Sequence, residues 1–159
     1  MTGSGVQRSD FAAIANWIKP EARVLDLGCA DGSLLRYLAE QRGSIGYGVE
    51  IDDERVHACV SNGVNVIQGD MERGLEAFAD DSFDYVILSQ TLQVVRHPSL
   101  VLREMLRVGT WGVMGIGMGF VIDGLFAFVL RGRVTPSFTA PRRSFAIPPG
   151  RHGIIRLPV

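Results

Sequence analysis

The sequence has few cysteines, almost no net charge and no leader-like pattern in its first ten residues. Each of these absences argues against a class of protein. The 159 residues include two cysteines, Cys29 and Cys59, which are too few for a disulfide framework and match no metal-binding spacing. The formal net charge is −1, so no basic surface argues for a nucleic-acid partner. Residues 1–10 are polar and lack the apolar core of a signal peptide. These absences predict a cytoplasmic protein.

The composition that remains is that of one globular domain. The hydrophobic fraction is 47% and the charged fraction is 21%, both ordinary for a folded chain. Residues 23–34 give the first local pattern: an apolar run contains Asp26, a glycine-bearing turn follows, and a helical pattern starts at Ser33. This strand, loop and helix N-terminus is the opening of a nucleotide-type α/β unit.

The loop residues favour a ligand without phosphate. A dinucleotide-binding loop has glycine at its first, third and sixth positions, but counting from Gly28 the third is Ala30 and the sixth is Ser33. Asp31 lies inside the loop, where its charge would repel a phosphate. S-adenosyl-L-methionine (SAM) carries a sulfonium and an ammonium and no phosphate, so Asp26 and Asp31 suit it. A nicotinamide-dependent oxidoreductase is the disfavoured alternative.

Further acids follow the next two predicted strands. Residues 46–52 form a predicted strand with Glu50 about twenty residues past the loop, where a nucleotide fold places the carboxylate that holds the ribose hydroxyls. Asp52 is the fallback for that role, or a cap of the next helix. Asp70, after a third strand, is predicted either to accept from the adenine amino group or to cap a turn.

The pattern is less regular toward the C-terminus. Residues 83–89 predict a fourth, fully buried strand, and 90–93 leave its carboxyl end, where open α/β sheets bind ligands. His97 is either a base or the entry to a helix, the second being favoured. The apolar run 112–130 is a fifth strand followed by a buried helix, a membrane span, or a poorly packed segment. Asp123 disfavours the membrane alternative, because a central acid costs about 2.5–3.5 kcal/mol in a bilayer.

Residues 10 to about 109 resemble class I SAM-dependent methyltransferases and, more closely, the methionine biosynthesis protein MetW family. The stretches that carry the resemblance are Ile14–Ile18, Val24–Gly32, Gly46–Asp52, Asn62–Asp70, Phe83–Gln93 and Leu102–Gly109. Two departures are visible: Ala30 replaces the family's middle glycine, and after Gly109 the expected Phe-Pro-Asn-Phe-Gly-like turn is missing. A local reading-frame alteration in the gene would produce the second departure.

The resemblance implies a fold and a domain organisation. It implies an α/β fold, a Rossmann-like doubly wound parallel sheet of the class I methyltransferase type, whose C-terminal strands are incomplete or atypical. Residues 1–9 are predicted to be a disordered N-terminus, 10–118 the SAM-binding domain, and 119–159 an atypical C-terminal segment.

It also implies a function and a site. The implied function is a SAM-binding protein of methionine biosynthesis that acts with a MetX-like homoserine O-acyltransferase; the alternative is a SAM-dependent methyltransferase acting on a small molecule. No catalytic residue and no metal site are predicted. The predicted cofactor-binding residues are Asp26, Gly28, Cys29, Ala30, Asp31, Gly32, Glu50, Ile51, Asp70, Met71, Ser89 and Gln90.

Overall fold

The chain is described by a computed structural model that covers residues 4–89, 95–116, 126–131 and 153–156. Helices and strands alternate along it, as the strand–helix pattern predicts. Their bounds are α1 Ser4–Trp17, β1 Arg23–Leu27, α2 Ser33–Arg42, β2 Ile45–Glu50, α3 Asp53–Ser61, β3 Asn65–Gln68, α4 Met71–Gly74, a 3₁₀ turn Leu75–Ala77, β4 Phe83–Ser89, α5 Pro98–Val108, β5 Gly109–Ile116, β6 Phe126–Arg131 and β7 Ile154–Arg156.

The strands form one sheet in the order β6-β5-β4-β1-β2-β3-β7. Neighbouring strands are parallel, except that β6 runs antiparallel to β5. The chain moves outward from β1 to β3 and then returns to place β4 on the other side of β1. This reversal is the switch point of a doubly wound sheet, where the carboxyl ends of β1 and β4 open a crevice. The predicted Rossmann-like fold is therefore confirmed.

Alternation along each strand divides the core into two layers. Val24, Val66 and Ile87 are buried on the face that packs against α1, α2 and α3. Leu25 and Ile67 are buried on the opposite face, with α5 and the 3₁₀ turn. Each central strand is apolar on both faces because helices cover both. Asp26 lies one residue from Leu25 and therefore belongs to the face that packs against α2 and α3.

Local signals fix most helix ends. The Asp52 carboxylate accepts a hydrogen bond from Arg55 N at 3.0 Å and so caps α3, which is the second of its two predicted roles. Gly43 ends α2 in the left-handed conformation, with φ +63°. Pro98 occupies the first turn of α5, where its missing N–H costs no helical bond.

The structure differs from the sequence-based prediction in four places. The helical spacing of Phe11, Ile14 and Ile18 predicts a helix from Phe11, whereas α1 begins at Ser4. The acidic residues of 76–82 predict a surface loop, whereas the stretch begins within a 3₁₀ turn and buries Phe78. No pattern in the sequence predicts β6 or β7, because the segments around them show no clear period.

The apolar run 112–130 is divided between strands β5 and β6, which confirms the fifth strand. The buried helix predicted after the fifth strand is wrong at 126–130, where the chain forms β6 instead, and 117–125 lie outside the described residues. Within the part of the chain that the structure covers, no helix is long and apolar enough to cross a bilayer. The division of the chain into segments 1–9, 10–118 and 119–159 stays a prediction.

Candidate functional site

Residues 28–32, the β1–α2 loop, turn sharply over the end of β2. Gly28 N and Cys29 N both donate to Val49 O, at 2.8 and 3.2 Å, and so tie the loop to the neighbouring strand. Gly28, Ala30 and Gly32 have φ values of +73°, +51° and +76°. Glycine adopts this left-handed conformation without cost, whereas the alanine pays about 1–2 kcal/mol for it. The loop is therefore a strained turn at position 30, held by contacts outside it.

The Glu50 carboxylate is the main such contact. Glu50 ends β2, is buried, and accepts from Ala30 N through Oε2 at 3.0 Å. Its Oε1 accepts from Ile51 N at 2.9 Å and Asp52 N at 3.1 Å. A carboxylate has about four acceptor positions, so with these three bonds in place one position remains, on Oε2. Glu50 thus joins the loop to the end of β2 and keeps capacity for one further donor.

Asp26 is the second buried acid beside the loop. The residue is 3% exposed, so its carboxyl lies almost entirely out of solvent. Burial, together with the nearby charge of Glu50, raises the pKa of Asp26 to about 7. A buried carboxylate in this state is stabilised by an incoming cation, because a nearby positive charge favours its ionised form.

Helix α3 supports the loop from below through two side chains at its C-terminal end. Cys59 Sγ donates to Ala30 O at 3.0 Å, and Asn62 Nδ2 donates to Asp31 O at 2.8 Å. From the sequence alone, Cys59 is predicted to be structural and Asn62 to end a helix, and neither prediction includes a contact with the loop. Their contacts are thirty residues away along the chain, and no local pattern signals them.

Strand β2 carries glycine where the loop and α2 approach it. A Cβ at Gly48 would lie 2.2 Å from Cys29 Sγ, and one at Gly46 would lie 2.9 Å from a Leu35 methyl group. Both distances are too short for real atoms, so the glycines are needed for this close packing. Cys29 is 5% exposed, and its side chain lies against the strand.

The remaining predicted acids cap helices. Asp31 is exposed, and its Oδ1 accepts from Ser33 N at 3.0 Å at the start of α2. Asp70 is exposed and accepts from Glu72 N at 2.9 Å, capping α4, which is the second of its two predicted roles. Each carboxylate keeps a further oxygen that these bonds do not use.

The other predicted cofactor residues lie along the same edge of the sheet. Ile51 directly follows β2 and is 67% exposed, which is unusual for a large apolar side chain. Met71 starts α4 and packs partly against the core, and Ser89 ends β4. Gln90 lies outside the described residues, as do Thr91 and Gln93.

His97 has the helix-entry position that the sequence favoured. Its Nδ1 pairs with Glu72 Oε2 at 2.9 Å, and Glu72 Oε1 accepts from His97 N at 3.3 Å and also from Arg96 N. The hydrogen bond from His97 lowers the pKa of the Glu72 carboxyl. No pattern in the sequence signals Glu72, which holds the start of α5 from α4. Among the described residues no group of three His, Cys, Asp or Glu side chains could hold a metal ion.

Comparison with known proteins identifies relatives for most of the chain. The family described as "Methionine biosynthesis protein MetW" matches residues 8–148. A "Bifunctional methionine biosynthesis protein MetXA/MetW" from Rhodopirellula baltica is 40% identical over 113 residues, which are 66% of this chain and 18% of that protein. This chain therefore spans less than a fifth of that relative's length.

Solved structures share the fold. The YcgJ protein of Bacillus subtilis has a TM-score of 0.61 and 21% identity, over 69% of this chain and 50% of that one. A TehB-like SAM-dependent methyltransferase from Corynebacterium glutamicum has a TM-score of 0.60 and 20% identity, over 69% of this chain and 62% of that one. At these identities the similarity establishes the class I methyltransferase fold and nothing finer.

Proposed function

The chain belongs to the methionine biosynthesis protein MetW family, and from that membership we propose that it binds SAM and acts with a homoserine O-acyltransferase of the MetX type. The binding site of this proposal is the carboxyl edge of the sheet, around the β1–α2 loop. The proposal has two parts, a ligand and a partner, and each has its own support and its own test.

The burial and the raised pKa of Asp26 are the observation that supports SAM as the ligand. This residue is 3% exposed, and burial together with the charge of Glu50 raises its pKa to about 7. An ammonium group beside it would lower this pKa again and favour the charged carboxylate. The charges of Asp31 and Glu50 would repel a phosphate. The site therefore fits the sulfonium and ammonium groups of SAM better than a dinucleotide.

The other predicted site residues then receive roles. The acceptor position that remains on Glu50 Oε2 would take one ribose hydroxyl, and the exposed Ile51 side chain would lie against the adenine. Gly28 and Gly32 would allow the ligand close to the backbone. Once bound, SAM supplies an activated methyl group or simply occupies the site as an effector; the protein residues bind and orient it.

Calorimetry tests the ligand. We expect heat of binding with SAM and none with NAD, and Asp26→Asn should weaken SAM binding about tenfold or more, because it removes a buried charge–charge contact. Glu76→Gln, an exposed acid in the 3₁₀ turn, is the matched control and should bind as the natural chain does. Measurable NAD affinity with no SAM affinity would refute this part of the proposal.

The partner is supported by the bifunctional relative, whose name joins MetXA and MetW in one protein. Two activities fused in one chain commonly belong to proteins that also work together when separate. We expect co-elution with the acyltransferase and a change in acyl transfer to homoserine when this protein is added. Unchanged acyl transfer and separate elution, with and without SAM, would refute the partnership.

A small-molecule methyltransferase is the second candidate. Its support is the fold, shared with SAM-dependent methyltransferases. Methyl transfer from a sulfonium needs positioning more than acid–base chemistry, so the pairing of His97 with Glu72 does not argue against it. Turnover of SAM to S-adenosylhomocysteine with a small acceptor, in the absence of the acyltransferase, would favour this candidate.

A further inference from the structure

Two cysteine sulfurs meet directly beneath the β1–α2 loop. Cys29 lies in the loop and Cys59 in the last turn of α3, and their Sγ atoms are 3.6 Å apart. Both are free thiols, and both are buried. A disulfide requires about 2.05 Å between the sulfurs, so an approach of about 1.5 Å would join them.

The thiol of Cys59 is also part of the loop's support. Its Sγ–H donates to Ala30 O at 3.0 Å, while Ala30 N donates to Glu50 Oε2 at 3.0 Å. A disulfide sulfur carries no hydrogen, so forming the bond must remove the donor to Ala30 O. Ala30 is the strained residue of the loop, with φ +51°. The residue that loses its support is therefore the one least able to keep its conformation without it.

The sulfur of Cys29 cannot reach Cys59 without disturbing its surroundings. It fills the space above Gly48, where even a Cβ would lie 2.2 Å from it. Movement toward α3 empties this space and pulls the loop backbone at residue 29. Because Cys29 N is bonded to Val49 O at 3.2 Å, that pull acts on a second contact of the loop.

We propose that Cys29 and Cys59 form a reversible oxidation site, whose intramolecular disulfide reshapes the β1–α2 loop and weakens the binding of SAM. The second half of this statement rests on the proposed function; the first half does not. The oxidant is a small peroxide, and the reductant is a cellular dithiol or glutathione-type thiol.

The chemistry balances with hydrogen peroxide. The hydrogen bond from Cys29 lowers the pKa of the Cys59 thiol, so Cys59 ionises first. Its sulfur attacks one peroxide oxygen, the O–O bond breaks, and the hydroxide that leaves takes up the thiol proton as water. Cys29 sulfur then attacks the Cys59 sulfenic sulfur, the S–O bond breaks, and a second water leaves with the Cys29 proton. Two thiols and one peroxide give one disulfide and two waters.

Burial determines when this can happen. Cys29 is 5% exposed and Cys59 is fully buried, so peroxide reaches them only when the loop opens. A ligand seated on the loop would hold it closed. We therefore expect SAM to slow the oxidation, and the ligand-free protein to be the form that is oxidised.

The test compares the natural chain with Cys59→Ser, whose hydroxyl keeps a donor toward Ala30 O but cannot form a disulfide. After limited hydrogen peroxide, the natural chain should lose the mass of two hydrogens, and digestion should yield a reducible peptide linking residues 29 and 59. Its SAM affinity should fall about tenfold, which is about 1.4 kcal/mol, and dithiothreitol should restore it. The affinity of Cys59→Ser should be the same before and after peroxide.

Hydrogen exchange at residues 28–32 separates this proposal from the proposed function. If the reduced protein does not bind SAM but the disulfide forms and exchange in the loop accelerates, the ligand assignment fails and the oxidation site stands. If peroxide yields only sulfinic or sulfonic acid, or links separate chains, the site is refuted. A disulfide that leaves both exchange and SAM affinity unchanged refutes its coupling to the loop.

Discussion

Replacement of Glu50 by glutamine tests whether the carboxylate holds the β1–α2 loop. The carboxylate accepts three backbone N–H groups, two through Oε1 and one, from Ala30, through Oε2. Glutamine has one oxygen and one NH₂ group. Its best orientation keeps the oxygen toward Ile51 N and Asp52 N, which places the NH₂ group against the Ala30 N–H. Two donors then face each other where a charge-assisted hydrogen bond was.

The size of the effect follows from that count. One hydrogen bond to a charged group is lost outright, worth about 1.5–3 kcal/mol, and the two that remain change from a charged to a neutral acceptor. Relief of the repulsion between Glu50 and Asp26 offsets part of this loss. We expect urea denaturation at pH 8 to show a free energy of unfolding lower by about 1.5–3 kcal/mol.

The control and the second measurement make the result specific. Glu76→Gln makes the same chemical change at an exposed position and should alter stability by less than about 0.5 kcal/mol. Exchange of the Ala30 amide should accelerate in Glu50→Gln and not in the control. If Glu50→Gln unfolds like the control and its Ala30 amide exchanges at the natural rate, Glu50 does not hold the loop.

Three further variants test the loop and its surroundings. Asp26→Asn should be more stable than the natural chain at pH 8, by on the order of 4 kcal/mol, because burial raises the pKa of Asp26 from 3.8 to about 7 and its ionisation opposes folding as pH rises through that window. The gain should shrink as pH falls toward 4 in urea denaturation, and a gain independent of pH would contradict the reasoning. Gly48→Ala should cost about 1–3 kcal/mol, because its Cβ meets Cys29 Sγ, whereas Gly69→Ala, where a Cβ meets nothing within 4 Å, should be close to neutral; equal losses would contradict it. Ala30→Gly should raise the melting temperature slightly, because relief of about 1–2 kcal/mol of left-handed strain exceeds the about 0.4–1 kcal/mol that glycine adds to the entropy of the unfolded chain; a lowered melting temperature would count against the strain.

Sequence reasoning succeeded where the signal is local. Helix α2 begins at Ser33 as predicted, and an apolar stripe with a terminal Gly43 marks it within one short window. Strand β4 spans Phe83–Ser89 as predicted, because a buried parallel strand is a continuous apolar run. The side chains of Asp26 and Glu50 share one face of the sheet because both strands keep a period of two.

It failed where the determinant is distant. Phe78 is buried by strands and a helix that precede and follow it, so the acidic residues around it gave a false surface signal. Strand β7 is three residues long and pairs with β3, more than eighty residues earlier. The supports that Cys59 and Glu72 provide join residues on separate elements, and only the folded chain brings them together.

The bracing of the loop by β2 and α3 limits how this binding turn could be moved to another protein. Its shape depends on Glu50, Cys59 and Asn62 as much as on its own glycines. A Cβ at Gly32 would also lie 2.9 Å from a Val64 methyl group, so Val64 is part of the surface against which the turn packs. The smallest continuous piece that contains the turn and everything that shapes it is 23–64. Residues 28–32 transplanted alone would keep the sequence of the motif but lose its conformation.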